Sequence, residues 1–243
     1  MPNVTYTDLT RTASIRKSDA VYNTARSAPA GVSLTQNVMY LGQATGYQID
    51  RVYFEFDTTA LPATATIAYA RVWFYGLSYA YEHIYYLTIM NGQPTKPSDP
   101  VVVGDYDEAS YSGNGGTISS YKFKGLNPGD FGIPPCWGYV ILNTTGMGWI
   151  NKGGITKLCM RSSYDIAGTP PTGPAADQLT IEGPLHVGAH DPYLEIGYLT
   201  PGTLKTANGM VDSGEISFSD GDYGTAWGSA TGWVYTGEEN KVG

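Results

Sequence analysis

Basic residues are scarce in this chain, and their scarcity excludes one class of partner. Lysine and arginine number 14 among 243 residues, against 22 aspartates and glutamates, so the formal net charge is −8. Affinity for nucleic acid depends on clustered Lys and Arg, so we expect no nucleic-acid partner. No apolar run approaches the roughly 20 residues that a membrane helix needs, so we expect no membrane partner either.

Cysteines are equally few. The chain has only Cys136 and Cys159, whereas small secreted domains held together by disulfides usually have more. Both cysteines lie beside runs that resemble strands, which favours two buried thiols and leaves a bridge between neighbouring strands as the alternative. The first residues, from Met1, have neither the basic nor the apolar segment of a signal peptide. We therefore expect either a chain lacking its leader or a virion protein made in the cytoplasm.

Tyrosine, glycine and proline are abundant, and they favour sheets joined by tight turns. Apolar and polar residues alternate in residues 52–57 and 70–75, as expected of strands with one buried face. Similar runs recur about every ten residues, with Gly and Pro between them. The sequence thus predicts an all-β fold, a jelly-roll-like antiparallel β-sandwich. One short helix is expected at residues 145–152, capped by Thr144 or Thr145 and stopped by Gly153 and Gly154.

The composition changes after residue 200. Residues 201–243 are rich in Gly, Ser, Thr and Asp, and their main apolar anchors are Trp227, Trp233 and Tyr235. This segment is too short and polar for a core of its own, although residues 215–219 have the pattern of a strand. We therefore predict a domain at residues 1–200 and, at residues 201–243, a C-terminal arm that packs on the domain or on a neighbouring subunit.

Several of these segments together resemble a known family. Residues 56–62 read FDTTALP, and they are followed by strand-like residues 65–67 and 70–75. With residues 142–156, 161–165 and 192–198, this pattern resembles the disaggregatase-related (DNRLRE) domains. The resemblance covers about residues 10–198 and implies a β-sandwich similar to carbohydrate-binding modules, found on secreted, cell-surface and phage proteins. Glu55 departs from the family, which often has a basic or neutral residue there, and this weakens the transfer of a ligand site to that strand.

Outward aromatic side chains are the main candidates for a binding surface. Trp73 and Tyr75 should share one face of a strand, and Tyr53 is expected opposite them on a paired strand. Flat rings stack on sugars while nearby carboxylates bind the hydroxyls, and Trp and Tyr are also enriched in protein interfaces. Both a glycan and a protein partner therefore stay open for these three residues.

Acidic loop residues raise the question of a metal ion. Asp105, Asp107 and Glu108 form the densest internal group, and Asp220 with Asp222 forms a second. Loop carboxylates of this kind bind calcium in many β-domains, but neither group has the full EF-hand pattern. We therefore expect no cofactor and carboxylates that are simply solvated. The alternative is a calcium ion bound at Asp105, Asp107 and Glu108.

Two histidines suggest a second metal. His186 and His190 lie near Glu182 and Asp191, which are residue types that bind zinc. The segment that holds them has the composition of a loop, so no helical spacing brings the two rings together. Loop histidines without a metal are the simpler interpretation.

Signatures of catalysis are absent from the sequence. It contains no nucleophile elbow, P-loop, HExxH motif or dinucleotide-binding motif. Glu55 and Asp57 would lie about 6–7 Å apart on one strand face, a separation that suits hydrolytic carboxylates. Asp57 also begins a turn, where an aspartate commonly accepts hydrogen bonds from the following N–H groups. We therefore predict a protein that is not an enzyme.

These observations converge on a non-catalytic structural or adhesion protein of a virion or other surface assembly, such as a phage decoration, tail or fibre component. Its expected partners are neighbouring subunits, in a homo-oligomer or among capsid and tail proteins. The alternative is a carbohydrate-binding module of a secreted or cell-surface protein that binds glycans.

Overall fold

Antiparallel strands make up most of the fold. The structure is a computed structural model that describes residues 3–7, 11–80, 82–127, 129–171, 176–186 and 190–200, and the backbone of residues 210–211 and 234–235. The strands of this part of the chain are β1 (Asn3–Thr7), β2 (Ala13–Ser18), β3 (Ser33–Thr35), β4 (Val38–Ala44), β5 (Gln48–Asp57), β6 (Thr66–Ala80), β7 (Tyr86–Asn91), β8 (Ser112–Ser119), β9 (Cys136–Ile141), β10 (Ile155–Ser162), β11 (Asp177–Glu182), β12 (Tyr193–Leu199), β13 (Met210–Val211) and β14 (Val234–Tyr235).

Three short α-helices occur in the described residues, where the sequence predicts one. The predicted helix is present as α2 (Thr144–Gly148), but it ends at Gly148 and is capped by Asn143, whose side chain accepts a hydrogen bond from the Gly146 N–H at 2.9 Å. The other two helices were missed because five residues are too few to show a helical period. None of the described helices is long and apolar enough to cross a membrane. The α-helices are α1 (Tyr22–Arg26), α2 (Thr144–Gly148) and α3 (Ser163–Ala167), and 3₁₀ helices span Val103–Tyr106, Glu108–Ser110 and Ser120–Lys124.

Strands β1 to β12 form one antiparallel sheet that curls into a sandwich. Its order is β1-β12-β6-β11-β4-β5-β10-β7-β8, while β9 pairs with β6, β2 pairs with β5, and β3 pairs with β2. Strand β4 connects the two halves because it pairs with both β5 and β11. Gly42 allows this, since its φ is 112° and a Cβ there would lie 2.2 Å from the Asp177 carbonyl oxygen. The fold is therefore the predicted all-β, jelly-roll-like sandwich.

The main core lies between the two halves of the sheet. The long strand β6 contributes Val72 and Phe74, and β5 contributes Phe54 and Phe56, whose rings are 5.7 Å apart. These four side chains are completely buried. Burying a side chain of this size stabilises a fold by about 1.5–3 kcal/mol, so this core supplies much of the driving force for closing the sheet.

A second apolar cluster covers the opposite face of β5. Ile49 and Tyr53 pack there with Cys159 of β10, and Tyr106 and Tyr111 from the segment between β7 and β8 lie over them. The prediction that residues 52–57 form a strand is confirmed, but the prediction of a single buried face is wrong. Both faces of β5 are buried because α1 and the segment between β7 and β8 add a covering on its outer side.

Beyond residue 200 the structure describes only two short strands. Met210 pairs with Tyr235, and Val211 pairs with Val234, in an antiparallel ladder of their own. The rest of the predicted arm, including the predicted strand at 215–219, lies outside the described residues. The domain boundary near residue 200 therefore stays a prediction.

Candidate functional site

Three strands of one half of the sandwich present aromatic side chains on its outer face. Every second side chain of β6 enters the core, and Trp73 and Tyr75 alternate with them on the outside, half-buried. The register places Tyr139 of β9 and Tyr193 of β12 on either side of Trp73, and Trp137 opposite Tyr75. Directly opposed side chains on neighbouring strands are in contact distance. We call these five rings the aromatic face: Trp73, Tyr75, Trp137, Tyr139 and Tyr193.

The rings of the aromatic face pack against one another. The centroid of Trp73 is 4.5 Å from that of Tyr139 and 5.7 Å from that of Tyr193, whose ring plane is inclined by only 13°. Trp137 lies edge-on to Tyr75 at 5.4 Å and to Tyr193 at 5.5 Å. Each such pair contributes about 0.5–1.5 kcal/mol beyond the area it buries. The five rings thus form a preorganised block that needs little ordering when a partner binds.

A nearly buried carboxylate anchors this block. Glu195 of β12 is 9% exposed and accepts a hydrogen bond from the Trp73 indole N–H at 2.7 Å. It also accepts one from the Tyr69 hydroxyl at 3.3 Å and one from Arg71 at 3.4 Å. The Tyr69 ring lies over Gly197, where a Cβ would come within 2.1 Å of the ring. The negative charge of Glu195 is therefore paired within the face.

A histidine and a second carboxylate border the aromatic face. The His190 ring stacks on Tyr75 with centroids 4.0 Å apart and planes 12° apart. Glu182, which is 2% exposed, lies 3.2 Å from Nδ1 of His190 and 3.2 Å from Nδ1 of His186. Burial raises the pKa of Glu182, but hydrogen bonds from the His190 N–H and from both imidazole rings outweigh it, and the pKa falls below its usual value.

This histidine pair does not form the zinc site considered above. Glu182 lies between the two rings and contacts each of them at hydrogen-bond distance. In the part of the chain that the structure describes, no three His, Cys, Asp or Glu side chains are grouped so that they could hold a metal ion. The geometry supports a buried carboxylate that is hydrogen-bonded to His190 and lies within ion-pair distance of His186.

Three of the six predicted contact aromatics lie in the sandwich, and the structure brings two of these three together. Trp73 and Tyr75 share the outer face of β6, as the alternation predicts. Tyr53 was expected at the surface, and that prediction is wrong, because its side chain is completely buried and its ring lies 5.5 Å from Tyr111. It lies on the outer face of β5, which the second cluster covers, so it can contact no partner.

Most residues of the aromatic face were missed in the sequence. Trp137, Tyr139 and Tyr193 alternate with core residues, so their outward direction was readable from the pattern. What the sequence does not show is that β9 and β12 flank β6, because the three strands are far apart along the chain. The pairing of these strands creates the site.

Each of the three predicted calcium residues is bonded to different partners. Asp105 is completely buried and accepts hydrogen bonds from Lys96 at 2.8 Å and from the Val102 N–H at 2.8 Å. Asp107 caps a 3₁₀ helix through the Ala109 N–H. Glu108 pairs with arginines in the cluster described next. These carboxylates are used to fold the segment between β7 and β8, and they form no common metal site. Asp220 and Asp222 lie outside the described residues.

A buried ionic cluster holds α1, α3 and the segment between β7 and β8 against β5. Arg51 is completely buried and donates two hydrogen bonds of 2.7 Å to Asp165. Arg161 donates to the same carboxylate at 2.7 and 2.9 Å, and Glu108 accepts from Arg161 and Arg26. Burial alone would raise the pKa of Asp165, but the two guanidinium groups hold it well below its usual value.

Glu55 and Asp57 of β5 do not form a hydrolytic pair. Glu55 is completely buried, with Lys157 Nζ 3.6 Å from its Oε1, whereas Asp57 is exposed. Asp57 accepts hydrogen bonds from the backbone N–H of Thr59 at 3.0 Å and from its hydroxyl at 2.6 Å. These bonds lower the pKa of Asp57. The turn-capping role predicted for Asp57 is confirmed.

Both cysteines are free thiols. Cys159 is completely buried, and burial raises its pKa to about 12, so it is unreactive at neutral pH. Cys136 is half-buried on β9, and burial raises its pKa as well. The strands that carry them are not neighbours in the sheet, so the alternative of a bridge does not fit the fold.

The aromatic residues of the predicted arm are not part of the described site. Trp227 and Trp233 lie outside the described residues. Tyr235 lies in β14, and only its backbone is described. Their expected role in contacts with a partner stays a prediction.

Comparison with known proteins assigns no family to this chain. No family model matches it, and no curated protein matches it. The resemblance to the DNRLRE domains therefore stays a prediction that rests on the quoted residues alone.

Proposed function

We propose that this protein is a non-catalytic structural subunit of a virion or other surface assembly, and that its aromatic face binds the same face of a second copy. The observation that carries the proposal is the aromatic face itself, a preorganised block of five half-buried rings on the outside of the sandwich. Tryptophan and tyrosine are enriched in protein interfaces because they bury a large area with few rotatable bonds.

The charges around the face are compatible with a second copy as the partner. The chain has a net charge of −8, so two copies carry a net repulsion that a contact must overcome. On the aromatic face, however, Glu195 is paired with Arg71, and Glu182 lies against His186 and His190. Two copies can meet there without burying an unpaired charge. A two-fold contact between identical patches is also the commonest form of oligomer.

The arrangement of the rings supports a protein partner. One side of the Tyr75 ring is covered by His190, and Trp73 is flanked by Tyr139 and Tyr193. Part of each of these ring faces is therefore occupied by a neighbouring ring. The block is extended by Ile141, which is 56% exposed at the end of β9. An irregular apolar surface of this kind fits the side chains of another protein.

Sedimentation velocity of the full chain over a concentration series tests this proposal. We expect Ile141→Glu to weaken self-association at least about tenfold, because it places a charge in the apolar contact without disturbing the core. The matched control is Ile84→Glu, since Ile84 is 53% exposed and lies in the connection between β6 and β7. A strictly monomeric wild type, or equal effects of both variants, contradicts the proposal.

A carbohydrate-binding module is the second candidate. The near-parallel rings of Trp73 and Tyr193 favour it, since they lie beside the carboxylate of Glu195 and could stack on a sugar whose hydroxyls reach that group. If this function is correct, a glycan array gives a signal that Trp73→Ala abolishes, and the protein stays monomeric. A signal that survives Trp73→Ala rules out this face as the glycan site.

A further inference from the structure

The three histidines of the chain all lie against buried carboxylates at the two ends of β11. At its first residue, Asp177, the carboxylate is 2.9 Å from Nδ1 of His83. At its last residue, Glu182, the carboxylate is 3.2 Å from Nδ1 of His186 and 3.2 Å from Nδ1 of His190. The two ends are about 16 Å apart by strand rise. Because β11 runs antiparallel to β6, only the Glu182 end lies beside the aromatic face.

His190 is the histidine that contacts the rings of the aromatic face. Its ring stacks on Tyr75 with centroids 4.0 Å apart and lies edge-on to Trp137 at 5.7 Å. Its backbone N–H donates a hydrogen bond to Glu182 at 3.2 Å. The side chain of His190 is 40% exposed, whereas that of Glu182 is 2% exposed. A proton can therefore reach the imidazole from solvent, while the carboxylate stays enclosed next to it.

The titratable groups that face His190 come from two strands and one connection. Tyr75 faces it from β6 and Glu182 from the end of β11, while Asp191 and His186 lie in the connection between β11 and β12. Burial and the negative charge of Glu182 raise the pKa of Asp191. The lowered pKa of Glu182 keeps this carboxylate ionised at neutral pH. With both imidazoles neutral, its negative charge stands at the border of the face, and protonation of one imidazole cancels it.

Two copies that meet through the aromatic face bring two of these groups into one interface. Like charges at an interface oppose association, so the negative charge of Glu182 on each copy weakens the contact while the imidazoles are neutral. A histidine changes its charge between about pH 5 and 8. Because protonation relieves the repulsion, the associated form binds protons more readily than the free chain, and association strengthens as the pH falls. A cationic ring also gains from stacking on Tyr75.

We infer that His190 and Glu182 form a pH-sensitive switch at the border of the aromatic face, which strengthens self-association in a mildly acidic medium. The inference rests on the proposed function, because it concerns the same face and the same second copy. His83 has the same chemistry at the other end of β11, where it pairs with Asp177 away from the aromatic face. It therefore provides a control within the same strand.

Sedimentation velocity of the full chain at pH 8 and pH 6, at one ionic strength, tests the switch. We expect the dissociation constant of the wild-type dimer to fall about tenfold or more from pH 8 to pH 6. In His190→Gln this ratio should shrink to about twofold, whereas His83→Gln should keep the wild-type ratio. The smaller net charge at pH 6 acts on both variants alike, so the two variants separate the switch from a general effect of charge.

A second variant and a measurement on the wild type make the test independent of how His190→Gln folds. Glu182→Gln removes the negative charge with little change of shape, so the strengthening at pH 6 should be lost or reversed. Calorimetry of wild-type dilution in two buffers with different ionisation enthalpies measures the protons bound on association. We expect proton uptake near pH 7.

The possible results distinguish the switch from the proposed function. A dimer that Ile141→Glu weakens, but whose dissociation constant is the same at pH 8 and pH 6, overturns the switch and leaves the proposed function standing. Equal pH dependence in His190→Gln and His83→Gln, or association without proton uptake, also overturns the switch. A chain that stays monomeric at both pH values overturns both.

Discussion

The two outer faces of the sandwich both carry tyrosines, but the chain covers only one of them with described structure. On β5, Tyr53 is enclosed by Tyr106 and Tyr111, and all three are buried. On β6, Trp73 and Tyr75 have ring neighbours beside them but stay half-exposed. Outward aromatic residues on a strand therefore serve either as a second core or as a contact surface, and what lies above the strand decides which.

The buried ionic cluster explains how the covered face is closed. The segments above β5 are short helices and irregular loops, and they contribute Tyr106 and Tyr111 to the second apolar cluster. Arg51, Asp165 and Arg161 connect them to β5 and β10 through hydrogen bonds to buried charges. On the aromatic face the corresponding carboxylate, Glu195, accepts hydrogen bonds from Tyr69, Arg71 and Trp73 of β6. These bonds stabilise the rings of the face itself.

The largest expected effect comes from breaking the closure of the covered face. Arg51→Met should lower the free energy of unfolding by about 3–5 kcal/mol, because it leaves a buried carboxylate with one of its two guanidinium partners. Chemical denaturation followed by fluorescence measures this loss. The control is Arg11→Met, since Arg11 forms a partly exposed ion pair with Asp99 at 3.2 Å and should cost no more than about 1 kcal/mol. Equal losses would show that the buried cluster does not hold the segments on β5.

A pair of tyrosine truncations compares the two faces directly. Tyr53→Ala should cost about 3–5 kcal/mol in stability, as expected for a large ring removed from a closed core. Tyr139→Ala should cost about 1–2 kcal/mol, because that ring is half-exposed and loses fewer contacts. The same denaturation experiment measures both. If Tyr139→Ala is the more damaging change, the aromatic face is a core rather than a contact surface.

Acid should weaken the covered face first. The pKa of Asp165 in the folded state lies below its ordinary value of 3.8. Its contribution to stability is therefore complete above that value and is lost as the pH falls through the folded-state pKa. We expect the wild type to lose roughly 1–3 kcal/mol across this acidic range. The Arg51→Met variant should show a shallower dependence on pH, and an equally steep one would contradict the role of Asp165.

The smallest effect is expected from removing one buried hydroxyl. The Tyr53 hydroxyl has no hydrogen-bond partner among the described residues. Tyr53→Phe should therefore change the stability by less than about 0.5 kcal/mol, or raise it slightly, because no hydrogen bond is lost. A loss as large as that of Tyr53→Ala would mean that the hydroxyl is satisfied and that the covered face is wetter than its contacts indicate.

The sequence predicts the strands better than it predicts their surroundings. Alternation located β6 and β12, because a period of two is a local property of the chain. The burial of Tyr53 was not predictable in the same way, because it depends on the segment between β7 and β8, some 50 residues further along the chain. Only Trp73 and Tyr75 of the aromatic face were predicted, for a related reason. Its rings come from three strands, and their pairing is set by the whole fold.

Hydroxyl-radical footprinting over a concentration series tests the central claim most directly, namely that the aromatic face is the open contact surface and the face of β5 is closed. We expect modification of Trp73, Trp137 and Tyr139 to fall as the protein associates. Tyr86, which is 50% exposed on β7, should be modified equally at every concentration, and Tyr53 should stay unmodified throughout. Constant modification of the three rings while the protein associates would contradict the claim, as would modification of Tyr53 in the native protein.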